Sequence, residues 1–375
     1  MIIKFLSKNT LFTSKLLPLV LFFFFLSCTA DRKLNNPQDK LKQYQCEGSD
    51  YYIDYICDDE KVNLDWAASY PKYRKLKDLN RAVLFEIMKE TGNIDKAAAV
   101  FYHRAITDPL NKKLIDYIHK KDTEFAKNTP DFSSKKLLFA IAPGMFYKDN
   151  TEVDADGKTI RGIVKQMGIS EAVIQTDQSG TVEKNGKIIC EFIKSHTEVN
   201  GIIIGSASKG SGDFKKALEY CGKEPYFERL KGWFNFGGIN KGSYIVNGMM
   251  DHWLYRMEGK LYFWLFGYNW DGLVSMRGGD DAPLGGELVI PKSVIVVNIV
   301  GVPTYRLVTD RARPFYNYLS QFGPNEGINL LSDSYLEGIP LYPSWRNDHY
   351  FRLPVPEGRI KAFIAYIVEK QNDVK

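Results

Sequence analysis

Ser208 stands in the run Ile204-Gly205-Ser206-Ala207-Ser208-Lys209-Gly210-Ser211-Gly212, where small residues surround a hydroxyl. An apolar run ends just before it and a helical pattern follows, so the stretch reads as a strand-to-helix turn. A hydroxyl placed there can attack a carbonyl carbon when an imidazole takes its proton and a carboxylate holds the imidazole. Ser206 and Ser211 are rival hydroxyls. The imidazoles available are His103, His119, His196, His252 and His349, and the nearby carboxylates include Glu326, Asp333, Asp310 and Asp348. A phosphate cradle is a weaker reading of the same loop, which lacks the G-x-x-x-x-G-K-[ST] order. A Ser/Gly-rich loop without chemistry is the bland one. No Cys or His spacing resembles a zinc site, and no cofactor is implied.

Such groups need a scaffold. Short apolar runs at Leu137–Ala142, Ala172–Gln175, Gly201–Gly205, Gly232–Phe236, Val294–Val300 and Ile339–Tyr342 read as strands. Helical patterns at Thr159–Met167, Lys187–Lys194, Asp213–Tyr220 and Arg359–Glu369 fall between and after them. Strands alternating with helices predict an α/β domain over residues 136–375, its sheet mostly parallel and covered on both faces. Before it, residues 61–135 carry apolar positions at helical intervals around Val83–Met88, Asp95–Ala105 and Leu114–Ile118, with Pro109 separating the last two. They predict a helical extension packed beside the core.

The frame Ser206-Ala207-Ser208-Lys209-Gly210 resembles the G-x-S-x-G turn of the α/β-hydrolases, Ser206 replacing the first Gly. That resemblance implies an α/β-hydrolase fold of the serine lipase and esterase type, with Ser208 as nucleophile. Its chain order of Ser, acid, His leaves His349 as the base, on the loop after the last strand. It makes Glu326 the acid, in Gly323-Pro324-Asn325-Glu326-Gly327, with Asp333 the runner-up and the side chain of Asp348 pointing elsewhere. It also implies an oxyanion site built from the N–H of Lys209 and that of Met145. Met145 lies in Ala142-Pro143-Gly144-Met145, where Pro143 takes the place of a family His. The implied reaction is hydrolysis of a small-molecule or lipid-like ester. Acyl transfer on the same residues, or a binding protein that has lost catalysis, are the alternatives.

Between about 240 and 291 the strand–helix rhythm stops and aromatic residues crowd together, among them Trp253, Tyr262, Phe263, Trp264, Phe266, Tyr268 and Trp270. They read either as a cap lining an apolar pocket or as a second small core. Gly278-Gly279 and Gly285-Gly286 read as its flexible borders.

The N-terminus reads as an address. Lys4, Lys8 and Lys15 precede the apolar run Leu16–Leu26, which is too short to span a membrane. Leu26-Ser27-Cys28 resembles a bacterial lipobox, so residues 1–30 are expected to be a signal peptide with lipidation at Cys28; cleavage after Ala30 is the alternative. Residues 31–60 then form a polar tether. The expected location is outside the cytoplasm, on a membrane through the lipid or free in the periplasm or medium. In that setting Cys46 and Cys57 are candidates for a local disulfide, whereas Cys190 and Cys221 read as buried small hydrophobes. A net charge of +5 is spread without any dense basic stretch, which argues against nucleic-acid binding.

Overall fold

The computed structural model describes residues 58–351 and 356–371. The leader, Cys28, nearly all of the tether and the Cys46–Cys57 pair lie outside the described residues. Among the described residues four helices come first: α1 (Asp58–Ser69), α2 (Arg81–Thr91), α3 (Ile94–Thr107) and α4 (Pro109–Lys127). Their starts are written in the sequence. Asn80 and Asn93 accept N–H groups of the first turns of α2 and α3, and Asp108 does so for α4. Pro109 opens α4, where its missing N–H costs nothing.

The remainder of the described residues is built on six strands: β1 (Leu137–Ala142), β2 (Ser170–Val173), β3 (Gly201–Ala207), β4 (Leu230–Phe236), β5 (Ile295–Val302) and β6 (Leu341–Trp345). They form one sheet in the order β2-β1-β3-β4-β5-β6, and every pairing is parallel. Between them run α5 (Lys158–Gln166), α6 (Val182–Ser195), α7 (Lys209–Cys221), α8 (Tyr244–Asp251), α9 (Trp253–Leu265), α10 (Trp270–Val274), α11 (Arg313–Leu319) and α12 (Leu331–Ser334), and α13 (Glu357–Lys370) closes the chain. This is the α/β-hydrolase fold expected from the residues.

Both faces of the sheet are covered, which explains why its strands are continuous apolar runs rather than alternating ones. One face packs Phe139, Phe234 and Val297 against α13, α5 and α4 through Phe363, Val164 and Ile118. The other packs Ile202, Ile204 and Trp233 against α6 and α7 through Ile189 and Phe214. The first helices form a third core with the far end of the sheet, where Leu84 and Phe101 meet Val302 and Trp345.

One reading from the sequence is corrected here. Cys190 and Cys221 are buried, but as a disulfide that ties α6 to α7 rather than as separate small hydrophobes. A buried lysine meets the return from the insertion. The buried Lys215 ammonium donates to Asn240 O at 3.1 Å, to Leu284 O at 2.8 Å and to Gly286 O. Burial lowers that ammonium's pKa to about 8.

Candidate active site

Strand β3 delivers Ser208 and α7 begins at the next residue. Between them the backbone turns through φ 51° and ψ −119° at Ser208, outside the regions favoured by L-residues. Such strain persists only where the surroundings dictate it. Here the Ser208 N–H donates to Phe236 O, and its carbonyl accepts from the N–H groups of Ser211 and Ile239. Gly210 makes the turn possible by its lack of a side chain: a Cβ there would lie 2.0 Å from the Ala142 carbonyl oxygen. The small residues around Ser208 therefore let α7 press against the end of β1.

Ser206 is not merely a tolerated substitute for glycine. Its buried hydroxyl accepts the Trp233 indole N–H at 2.7 Å and lies 2.8 Å from the Ser211 hydroxyl. Ser211 donates to Asn235 Oδ1 at 2.6 Å, Asn235 donates to Asn298, and Asn298 donates to the Ser334 carbonyl. A continuous polar chain thus crosses β3, β4 and β5 under the turn, with every link bonded as burial requires.

The loop after β6 brings His349 to the same place. Its Nε2 is 3.0 Å from Ser208 Oγ. Its Nδ1 is 2.7 and 2.9 Å from the two carboxylate oxygens of Glu326. Nδ1 therefore carries the proton, and Nε2 is free to accept that of the serine. The His349 side chain is 7% exposed and that of Glu326 2%. Burial opposes charging of the imidazole, but attraction and hydrogen bonding to Glu326, with a smaller contribution from Asp348, outweigh it and hold its pKa above the usual value.

Glu326 is itself fixed. Its Oε1 accepts the Asn329 N–H at 2.8 Å, and Asn329 Nδ2 donates to Gly238 O on the loop after β4. Asn329 and the Gly237-Gly238 turn thus support the site, roles that nothing in their sequence pattern assigned. The spare acids lie elsewhere. Asp333 accepts from Ser332 within α12, and Asp348 accepts the N–H and hydroxyl of Thr309 and the N–H of Tyr350. The other imidazoles are also engaged away from Ser208: His103 beside Arg104, His119 against Tyr342, His196 on Phe192 O and His252 stacked on Tyr255.

The two residues expected to offer N–H groups flank the hydroxyl. Lys209 is the first residue of α7, so its N–H has no acceptor inside the helix. Gly144 lies close enough that its Cβ position is 3.6 Å from Ser208 Cβ. Gly144 N–H is bonded to Ala155 O and Phe146 N–H to Gln178 O, while Met145 N–H between them has no protein acceptor among the described residues.

The Lys209 side chain holds this corner together. Its ammonium is 2.6 Å from Asp213, and both side chains are almost wholly buried. Asp213 also accepts from Asn185, whose amide brackets Asp177 N–H and O on the loop next to Gln178. Burial raises the Asp213 carboxyl, Lys209 and Asn185 offset part of that rise, and the balance leaves its pKa at about 6.

Ser206 and Ala207 border a cavity of about 360 Å³ whose apolar walls include Ile141, Phe234, Phe236 and Ile299. The insertion resolves into α8, α9 and α10, and many of its aromatics form a core of their own. Phe263 lies edge-on to Trp270 and to Phe146, and Tyr268 also packs on Phe146. Among the described residues no cluster of His, Cys, Asp or Glu could hold a metal ion, and no helix is long and apolar enough to cross a membrane.

The sequence matches no family model and no curated protein. Among solved structures, the chain is similar to a metagenomic carboxyl esterase at 19% identity and TM-score 0.49, over 64% of this chain and 78% of that one. It is also similar to a Bacillus licheniformis lipase in its mature form, at 16% identity and TM-score 0.44, over 66% of this chain and 95% of that one. The propeptide form of that lipase aligns at 17% identity and TM-score 0.44, over 64% of this chain and 50% of the other.

Proposed function

We propose that this protein is a serine hydrolase of carboxylic esters. The observation that carries the reading is the unbroken relay from Ser208 Oγ through His349 to the Glu326 carboxylate, at 3.0 and 2.7 Å. His349 Nε2 takes the hydroxyl proton as Ser208 Oγ bonds to the ester carbonyl carbon. Glu326 stabilises the imidazolium that results. The carbonyl oxygen, now negative, is received by the N–H groups of Lys209 and Met145. Collapse of the tetrahedral intermediate breaks the bond to the alcohol oxygen, which leaves with the proton from His349. Water, deprotonated by the same imidazole, then attacks the acyl-serine and releases the acid. The apolar cavity beside the turn favours an acyl group over a small polar one.

Export follows from the basic-then-apolar leader, and the Cys190–Cys221 disulfide supports it, since disulfides persist in oxidising compartments. Lipidation at Cys28 would add a membrane anchor.

A fluorescent fluorophosphonate tests the chemistry. Labelling of the parent that vanishes in Ser208→Ala and His349→Ala supports the relay. A folded parent that stays unlabelled overturns it in favour of a hydrolase-fold binding protein.

A further inference from the structure

Helix α9 has one packed side and one bare side. Gly259 and Phe263 are buried and hold the helix to the body, both against Trp270. On the outside, Trp253, Leu254, Met257, Leu261, Trp264 and Leu265 are each between 41% and 74% exposed. Their spacing puts all six on one stripe of about 120° at about 100° per residue. A single exposed leucine needs no explanation, but six contiguous large apolar groups do. Arg256 and Lys260 border one edge of the stripe, and both are exposed.

We infer that this face of α9 docks on an anionic lipid surface, with Trp253 and Trp264 at headgroup level and Arg256 and Lys260 beside the phosphates. Tryptophan favours the water–hydrocarbon boundary, and the basic edge complements anionic headgroups. A convex, one-helix stripe suits a fluid interface into which each side chain sinks separately. It is too small for a stable contact between two copies. A helix about 20 Å long and about 10 Å wide offers far less than the roughly 1,200 Å² that such interfaces bury. The docking does not depend on catalysis by Ser208. It would hold lipid near the site, because Phe263 on the packed side of α9 meets Phe146, the residue after Met145.

The apolar leader can bind membranes by itself, so local contact is the quantity to read. The full chain is added to vesicles with about 30 mol% anionic lipid and brominated acyl chains, and tryptophan fluorescence is followed. The variant Met257→Glu/Leu261→Glu keeps both tryptophan reporters. The expected result is strong quenching of the parent and roughly fivefold weaker quenching of the variant. Matching circular dichroism would show that the variant is folded. If it is not, Arg256→Gln/Lys260→Gln carries the test, with weaker quenching expected on the same vesicles. Any of three results overturns the inference: an unquenched parent, equal quenching in the folded variant, or self-association that shields both tryptophans without lipid.

Discussion

Glu326 holds His349 at two points: its carbonyl accepts the histidine backbone N–H at 2.7 Å, and its carboxylate accepts Nδ1–H at 2.7 Å. The first bond fixes where the loop lies, and the second fixes the tautomer. Glu326→Gln keeps the first and weakens the second. The base must be unprotonated to act, and its raised pKa places the acid limb of the rate profile above that of an ordinary histidine. Without the carboxylate, burial dominates and the limb moves to lower pH. Ester kcat/KM is expected to fall by roughly 10²–10⁴-fold. A pH–rate profile of the variant checks this, and an unmoved limb would count against the role given to Glu326.

Lys209 and Asp213 should be separable from one another only at a cost. Lys209→Met leaves a buried carboxylate without its partner, and about 3–5 kcal/mol of stability should be lost. The double variant Lys209→Met/Asp213→Leu removes both charges and should recover much of that loss. Urea unfolding of the parent, Lys209→Met, Asp213→Leu and the double variant forms the cycle; a double variant as unstable as Lys209→Met would argue against charge pairing as the cause.

Placing glycine at position 206, as in the G-x-S-x-G frame this turn resembles, should harm the protein. Both Ser206→Gly and Ser206→Ala strand the Trp233 indole N–H in the core, at about 1–3 kcal/mol. The midpoint of chemical unfolding reports it. A glycine variant as stable as the parent would mean that the polar chain under the turn contributes little.

The Cys190–Cys221 bridge closes a separation of 31 residues. Constraining an unfolded chain over that length contributes about 3–4 kcal/mol. Cys190→Ser/Cys221→Ser should lower the unfolding midpoint accordingly while fluorophosphonate labelling of Ser208 persists at low temperature. Mass spectrometry after alkylation, with and without reductant, establishes whether the bond forms.

Much of this arrangement was legible in the residues because the strands are buried on both faces and announce themselves as apolar runs. β1 falls where its apolar run predicts. β2 is displaced, at Ser170–Val173 instead of Ala172–Gln175, because it is an edge strand with half-exposed residues and no continuous run. The stretch Lys187–Lys194 is the later part of helix α6, which begins at Val182; its start carried no apolar pattern because the first turns are polar and the signal there is the cap at Thr181. The turn at Ser208 was visible because close packing admits only small residues there. Lys209 and Asp213 were opaque for the opposite reason. A Lys four residues before an Asp reads as a solvated helix pair, and only the packing of α6 on α7 buries it. The bridge between Cys190 and Cys221 depends on that same packing and has no local spacing signature.

The described helices made first must wait for a partner strand made last. Glu60 on α1 accepts the Trp345 indole N–H, and Asn111 on α4 accepts the Leu341 N–H, across separations of 285 and 230 residues. Until β6 has been made, the apolar sides of α1 to α4 lack the surface that covers them, and aggregation competes with folding over that interval. Export of the chain before it folds would turn this delay into an asset, since a polypeptide whose first helices have nowhere to dock stays extended enough to be threaded.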